Sequence, residues 1–453
     1  MSLPGECETI PLEASISLSS STSIQGEALP CIQEANITNA GRRPHFYDII
    51  GRPNRICAPM VDQSELPFRM LVRKYGCDLC YTPMVHSRLF CEDVKYREMI
   101  FTTCEQDRPL VVQFNANNPD LLVQVHNSSF DLKPFNLNPN PNSNSNPNPN
   151  PSRPNDTNTF NNSQAASMVV DKCDAIDINF GCPQDIAKKG RYGAYLLEEP
   201  DVCRSLVEAM SKHLSHKVPV CCKIRLLPID DREERITKTI EFAKMLVKAG
   251  CQLLTVHGRT RLNRGQHVGA CDWDAIRRIK EALDIPVFAN GSIETLGDVK
   301  KCQEATGCDG IMSAEALLGN PGLFAEDSTT VPDPVQLAWE YIELAEQYPV
   351  HYRMVRAHLF KILYDCLASL PELRAEVGTI GDAASARLLM EKVEAQVSPE
   401  TRRKPSDWIL RHRPDRREPT PKELERDKQA MEAAVEQEEQ PQTSLFADAG
   451  DDY

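Results

Sequence analysis

VPVCCKIRLLPIDDREERITKTIEFAKMLVKAGCQLLTVHG, from Val218 to Gly258, reads as strand, helix, strand. VPVCCKI from Val218 and LLTVHG from Leu253 are short apolar runs. Between them, IEFAKMLVKAG from Ile240 carries apolar residues at the i, i+3, i+4 spacing of an amphipathic helix. The unit recurs in both directions. RICAPM starts at Arg55, DLCYTPM at Asp78, LVVQF at Leu110, AIDINF at Ala175, PVFANG at Pro286 and GIMSAE at Gly310. VCRSLVEAM from Val202 repeats the helical spacing. Eight strand-like runs, nearly all followed by a helix, predict repeated β-α units and a parallel sheet. The expected fold is α/β, a TIM (β/α)8 barrel of about 250 residues.

One interval breaks the rhythm: the third and fourth runs start 65 residues apart. It holds FNLNPNPNSNSNPNPNPSRPNDTNTFNNS, an Asn/Pro tract with almost nothing to bury, expected to be disordered. Excising 125–164 joins NPDLLVQ to AASMVVDKCDA and restores one amphipathic helix entering the fourth strand. The tract therefore reads as an insertion within a helix, either a tolerated loop or translated intron from a faulty gene structure.

The flanks differ in texture. Residues 1–44 are Ser/Thr/Glu-rich and read as a disordered leader, with the barrel expected over 45–331. VQLAWEYIELAEQY and VRAHLFKILYDCL have apolar faces at helical spacing, and Ala383–Val393 adds a third such segment. These predict a small C-terminal all-α domain over 332–397, followed by a disordered charged tail, 398–453. The net charge is −14, but the last 34 residues hold ten acids against three bases. Half of the excess sits in the tail, so the folded part is closer to neutral. A polybasic coat is excluded, though a local basic patch is not. Seventeen scattered Cys do not resemble a small secreted disulfide scaffold, and the N-terminus lacks a signal run. No apolar stretch is long enough to span a membrane. The expectation is an intracellular enzyme, in cytoplasm or nucleus, with no membrane partner and no stable metal.

In a barrel of this kind, reactive groups stand at the C-terminal ends of the strands. Those ends carry Ala58-Pro59-Met60, Gln113, Asn179 with Cys182, Lys223 and Arg225, His257-Gly258-Arg259, Asn290-Gly291-Ser292 and Ser313-Ala314-Glu315. The last two turns occupy the usual phosphate position. Gly291 permits close backbone approach, and Ile293–Asp298 is expected to start a helix whose N–H groups face the anion. Taken singly, a Lys at a strand end is usually a paired or solvated charge, and a His an ordinary hydrogen-bonded residue. Cys77 and Cys80 form a CxxC, but no second pair completes a zinc site, so buried apolar thiols are expected. Cys221 and Cys222 should alternate across one strand. The convergence of so many polar groups on one mouth is what points to a site.

APMVDQSELPFR from Ala58, INFGCP from Ile178, CKIR from Cys222, TVHGRT from Thr255, FANG from Phe288 and SAEALL from Ser313 resemble the tRNA-dihydrouridine synthases. DLCYTPM, FCEDVKYRE, FTTCEQDRPLVVQF and ATGCDGIMSAE are most similar to the eukaryotic branch acting on uridines 16 and 17 of the tRNA D-loop. The likeness covers about 44–364, and the Asn/Pro tract departs from it.

The resemblance implies an FMN-dependent barrel that reduces the uracil C5–C6 bond, by hydride from flavin N5 to C6 and a proton to C5. NADPH or NADH would be the transient reductant, with no G-x-G-x-x-G fingerprint after a strand to choose between them. Cys182 matches the proton donor, and a thiol protonated near neutral pH suits that task. Asn179 would fix the loop or the base. Pro59, Met60 and Val61 would pack on the isoalloxazine, Gln113 would hydrogen-bond its ring, and Lys223 would sit near N1/O2. His257 would lie beside ring or phosphate, with Asn290, Gly291, Ser292, Ala314 and Glu315 at the phosphate.

The tRNA partner requires base extrusion, offset by phosphate contacts. The expected basic track comprises Arg225, Arg259 and Arg261 at the mouth and Arg353 and Arg356 on the helical domain, with His358 and Lys361 on the same helix face. Two alternatives stand beside this reading. An FMN reductase of a free small molecule, of dihydroorotate or enoate type, would need neither the helical domain nor RNA. A non-catalytic RNA-binding barrel would bind no flavin.

Overall fold

The computed structural model describes residues 45–119, 165–263, 268–325 and 332–402. The expected leader, the Asn/Pro tract and the tail beyond 402 lie outside the described residues. Among the described residues there are nine strands: β1 Arg55–Cys57, β2 Leu79–Tyr81, β3 Val85–His86, β4 Leu110–Asn115, β5 Ala175–Phe180, β6 Val220–Arg225, β7 Leu253–His257, β8 Val287–Asn290 and β9 Gly310–Ser313. Their order is β2-β1-β9-β8-β7-β6-β5-β4-β3, and a β2–β4 pairing closes the ring. Every pairing is parallel. The eight expected strands form the barrel, and β3 adds two residues beside β4.

Around it run α1 Phe46–Ile49, α2 Leu66–Lys74, α3 Ser87–Glu92, α4 Val94–Ile100, α5 Asp185–Gly190, α6 Pro200–Leu214, α7 Arg232–Ala249, α8 Trp273–Glu281, α9 Leu296–Thr306 and α10 Glu315–Gly319. Then follow α11 Pro334–Gln347, α12 Tyr352–Ile362, α13 Pro371–Val377, α14 Ala383–Gln396 and α15 Pro399–Arg402.

Strands wrapped by helices bury both faces, hence the continuous apolar runs. One face fills the barrel: Ile56, Leu79, Tyr81, Val111, Ala175, Cys221, Leu253, Phe288 and Met312 form an inner cluster. The other face, with Cys222, Ile224 and Val256, packs under the helices. Phe46, Tyr47 and Ile50 join the inner cluster, so α1 plugs the end of the barrel. The Tyr47 hydroxyl donates to the Asp309 carbonyl at 2.8 Å, on the strand-entry side of β9.

Helix α7 shows how local sequence sets an element. The Asp231 side chain accepts from the Glu234 amide, capping the first turn. Ile236, Thr239, Phe242, Ala243, Leu246 and Ala249 face the core at spacings of three and four. Gly250, at φ 114°, ends the helix in a left-handed turn.

Two expectations about helices change. After the Asn/Pro tract, Ala166–Met168 and Val170–Lys172 wind as short 3-10 turns rather than as the end of an α-helix. The helix expected from Ile293 begins at Leu296 instead. Thr295 and Asp298 close a capping box on it, in which Thr295 Oγ1 takes the Asp298 amide and Asp298 Oδ2 the Thr295 amide.

The C-terminal helices are anchored on α2. The Glu65 carboxylate, buried just before α2, accepts from the Tyr341 hydroxyl at 2.8 Å and lies 3.0 Å from His358 Nε2. The His358 ring stacks on Phe68, with centroids 4.5 Å apart. His358 is fully buried, which removes it from the expected RNA-facing track. Its apolar neighbours on α12 draw it inward, and Glu65 supplies the polar partner a buried imidazole needs.

Candidate active site at the barrel mouth

A cavity of about 550 Å³ opens at the C-terminal ends of the strands, within the range of small-molecule sites. It gathers Pro59, Val61, Gln113, Asn179, Cys182, Lys223, Arg225, His257, Arg259, Asn290, Gly291, Ser292, Ala314 and Glu315. Met60, Arg261, Arg353 and Arg356 are not among the lining residues.

The parallel register puts Gln113 opposite Asp177, Asn179 opposite Lys223 and His257 opposite Asn290. Gln113 Nε2 donates to Asp177 Oδ2 at 2.8 Å, and Asn179 Nδ2 donates to Gln113 Oε1 at 3.2 Å. Asn179 Oδ1 accepts the amides of Gly181 and Cys182 at 2.8 and 2.9 Å. The turn bearing Cys182 is thus tied to a strand side chain. A Cβ on Gly193 would lie 2.7 Å from the Cys182 carbonyl oxygen, so only glycine lets the next turn pack there.

Burial pushes the Cys182 thiol up, outweighing the Gln184 amide and the Arg225 and Lys223 cations. Lys223 Nζ donates to Asn290 Oδ1 at 2.8 Å. Burial and then Arg225 lower the Lys223 ammonium to about 8. Burial raises the Asp177 carboxyl to about 7, against the Gln113 amide and Lys223.

At the opposite end of the cavity, Gly291 has φ 114°, and a Cβ there would meet Cys271 Sγ at 2.8 Å and His257 Cδ2 at 2.9 Å. Arg259 is 4% exposed and donates to Ser292 Oγ at 2.9 Å. Its Nη1 lies 3.1 Å from His257 Nε2. Arg225 donates to the carbonyls of Gly181 and Thr260 at 3.0 and 2.8 Å. Arg259 and Arg225, both expected on the RNA track, therefore sit inside the wall of the cavity. Arg261 pairs with Glu198 at 2.7 Å. Exposed Arg353 reaches Asp62 at 3.0 Å, and Arg356 donates to the Ile380 carbonyl at 2.6 Å.

Sequence reading passed over Asp177, although an acid inside the apolar run AIDINF is a legible signal, because a buried charge needs a reason. It also missed the buried cluster beneath the first loop. Asp107 and Arg69 are 0% and 1% exposed, with Asp107 Oδ2 2.6 Å from Arg69 Nη2 and Oδ1 3.2 Å from Arg73 Nε. Cys77 and Cys80 lie nearby, buried, with sulfurs 3.8 Å apart. Among the described residues, no group of three or more His, Cys, Asp or Glu is placed to hold a metal ion. No helix among them is long and apolar enough to cross a membrane.

The family model described as dihydrouridine synthase (Dus) matches residues 56–138 and 157–406. Its break, 139–156, falls within the Asn/Pro tract. The chain is 42% identical over 333 residues to the tRNA-dihydrouridine(16/17) synthase (NAD(P)(+))-like protein of Rattus norvegicus, covering 73% of this chain and 64% of that one. It is 38% identical over 365 residues to the tRNA-dihydrouridine(16/17) synthase (NAD(P)(+)) of Saccharomyces cerevisiae, covering 78% and 74%. The tRNA-dihydrouridine(20a/20b) synthase (NAD(P)+)-like protein of Mus musculus is 33% identical over 314 residues, covering 69% and 81%. The chain thus spans just under two thirds of the rat relative's length. With the model aligned along most of the barrel and the C-terminal helices, the chain belongs to the dihydrouridine synthase family.

Proposed function

We propose that the chain is a tRNA-dihydrouridine synthase of the 16/17 branch, using FMN and NAD(P)H. One observation carries the reading: Cys182, Asn179, Gln113, Lys223 and His257 line a single cavity in a chain of this family. The cavity suits FMN. The glycine at 291, where a Cβ would collide, lets backbone approach a phosphate beside Ser292, Ala314 and Glu315. Arg259, on Ser292, adds a cation at that end, so it is assigned to the phosphate in preference to RNA. Pro59 and Val61 offer an apolar wall, and Gln113 and Lys223 polar contacts, for the ring.

Bound FMN supplies the hydride for uracil C6. The chain's own residues do the rest. Asn179 holds the turn on which Cys182 stands, and Cys182, kept as thiol by burial, delivers a proton to C5. The domain division at 332 follows the same reading, with the C-terminal helices as the tRNA-binding part. Flavin absorbance in the purified protein, followed by dihydrouridine mapping of tRNA from cells lacking it, tests this. A colourless protein, or unaltered positions 16 and 17, would reject it. Faster turnover of free orotate or an enoate than of tRNA would favour the small-molecule alternative.

Lys223 makes FMN affinity depend on pH. Its lowered pKa means that the free protein carries this charge below about 8 and loses it above. An anionic ligand prefers the protonated form, so affinity is full below that value and falls as pH rises through it. Fluorescence titration of apoprotein from about pH 7 to about 9.5 should show this fall, and Lys223→Met should flatten it.

Arg353 and Arg356 separate as RNA contacts. Arg353 is exposed, whereas Arg356 is committed to a backbone carbonyl. Arg353→Gln should flatten the salt dependence of tRNA affinity by about one log unit of slope, and Arg356→Gln should leave it in place. Filter binding across a salt series measures both.

A further inference from the structure

Among the described residues, Asp177 is a buried carboxylate of the barrel interior without a task in this scheme. It is fully buried in β5, and its Oδ1 meets no hydrogen-bond partner among the described residues. Its Oδ2 heads a chain of hydrogen bonds with a single sense. Gln113 Nε2 donates to Asp177, Asn179 Nδ2 donates to Gln113 Oε1, and the Gly181 and Cys182 amides donate to Asn179 Oδ1. Each primary amide could rotate by half a turn and reverse its donor and acceptor. Two fixed features forbid it. The backbone amides at the outer end can only donate, and Asp177 Oδ2 accepts at the inner end. A proton on Asp177 would reside on the unpartnered Oδ1, so that sense survives protonation.

We infer that Asp177 is a positioning residue: it anchors the inner end of the Gln113–Asn179 relay and thereby holds the Cys182 turn over the cavity. The inference rests on the dihydrouridine synthase reading. Without an acceptor at 177, Gln113 Nε2 has no partner, and its side chain, tethered through Oε1 alone, can swing out of line. Asn179 Nδ2 then loses its oxygen acceptor and keeps only the Met84 sulfur, a weak one. The turn it holds loosens.

The test uses the full-length flavoprotein with Asp177→Ala and Asp177→Asn. Asparagine keeps an oxygen for Gln113 and drops the charge, whereas alanine drops both. Three quantities are read: kcat and KM on unmodified tRNA, the visible flavin spectrum, and iodoacetamide labelling of Cys182 without tRNA, resolved by peptide mass spectrometry. Alanine should lower kcat by about 10²-fold, leave KM within about threefold and speed Cys182 labelling at least about fivefold. Asparagine should stay within about threefold of wild type in all of these and keep its flavin spectrum. If alanine fails to fold, Asp177→Val, closer in size, takes its place. Equal losses in asparagine and alanine would overturn the inference in favour of a charge effect, and wild-type labelling in alanine would overturn it outright. If wild-type protein carries no flavin or reduces no tRNA uridine, the functional reading fails, while the labelling comparison still judges the relay.

Discussion

Cys182→Ala should lower turnover on tRNA by about 10²–10⁴-fold, the usual contribution of a placed general acid, with flavin and tRNA still bound. The expectation follows from three features. Cys182 lines the cavity, its amide is held by Asn179, and burial keeps its thiol protonated. The substitution removes a proton and little volume, so the cavity should keep its shape. Single-turnover oxidation of reduced flavin, followed at its visible band, isolates the step. A wild-type rate in Cys182→Ala would transfer the proton donation to another group.

The second large effect is on stability. Asp107→Ala should destabilise the fold by about 3–5 kcal/mol, because it strands the buried Arg69 guanidinium without a counterion. Asp107 accepts from Arg69, from Arg73 Nε at 3.2 Å and from Thr103 Oγ1 at 3.2 Å. Arg69 also donates to the Ser64 and Thr102 carbonyls, both at 2.7 Å, and so binds the loop after β1 to the segment before β4. The double variant Arg69→Met/Asp107→Leu should cost less, since the fully buried guanidinium leaves with its partner and Arg73, which loses the carboxylate, keeps the Pro109 carbonyl at 2.7 Å. Urea unfolding midpoints at unchanged m-value compare the two. Equal losses would show that packing, and not the pair, is what the site supplies. Flavin content should follow stability in this series, because the loop held by Arg69 carries Pro59 and Val61.

The sequence by itself determined the barrel. Strands covered on both sides must be apolar at nearly every position, and the helices between them apolar on one stripe, so RICAPM to GIMSAE could be counted and ordered from the pattern of apolar residues along the chain. Strand ends then located the candidate site, since in a closed parallel ring all C-terminal ends lie on one side. Pro59, Gln113, Cys182, Lys223, His257 and Asn290 follow from that rule. Tertiary structure alone decided what each polar group faces. His358 looked like a member of a basic face because helical spacing reports direction only to within a broad arc. Its burial against Phe68 and Glu65 depends on how α12 meets α2, nearly three hundred residues away in the chain. Arg259 looked like an RNA contact because it follows a strand, yet its guanidinium folds back onto Ser292 in the turn after the next strand. Asp177, lost among its apolar neighbours in the chain, acquires a partner only when β4 and β5 pair in register. Distances between side chains on different strands are set by register and closure, and no periodicity within one segment encodes them.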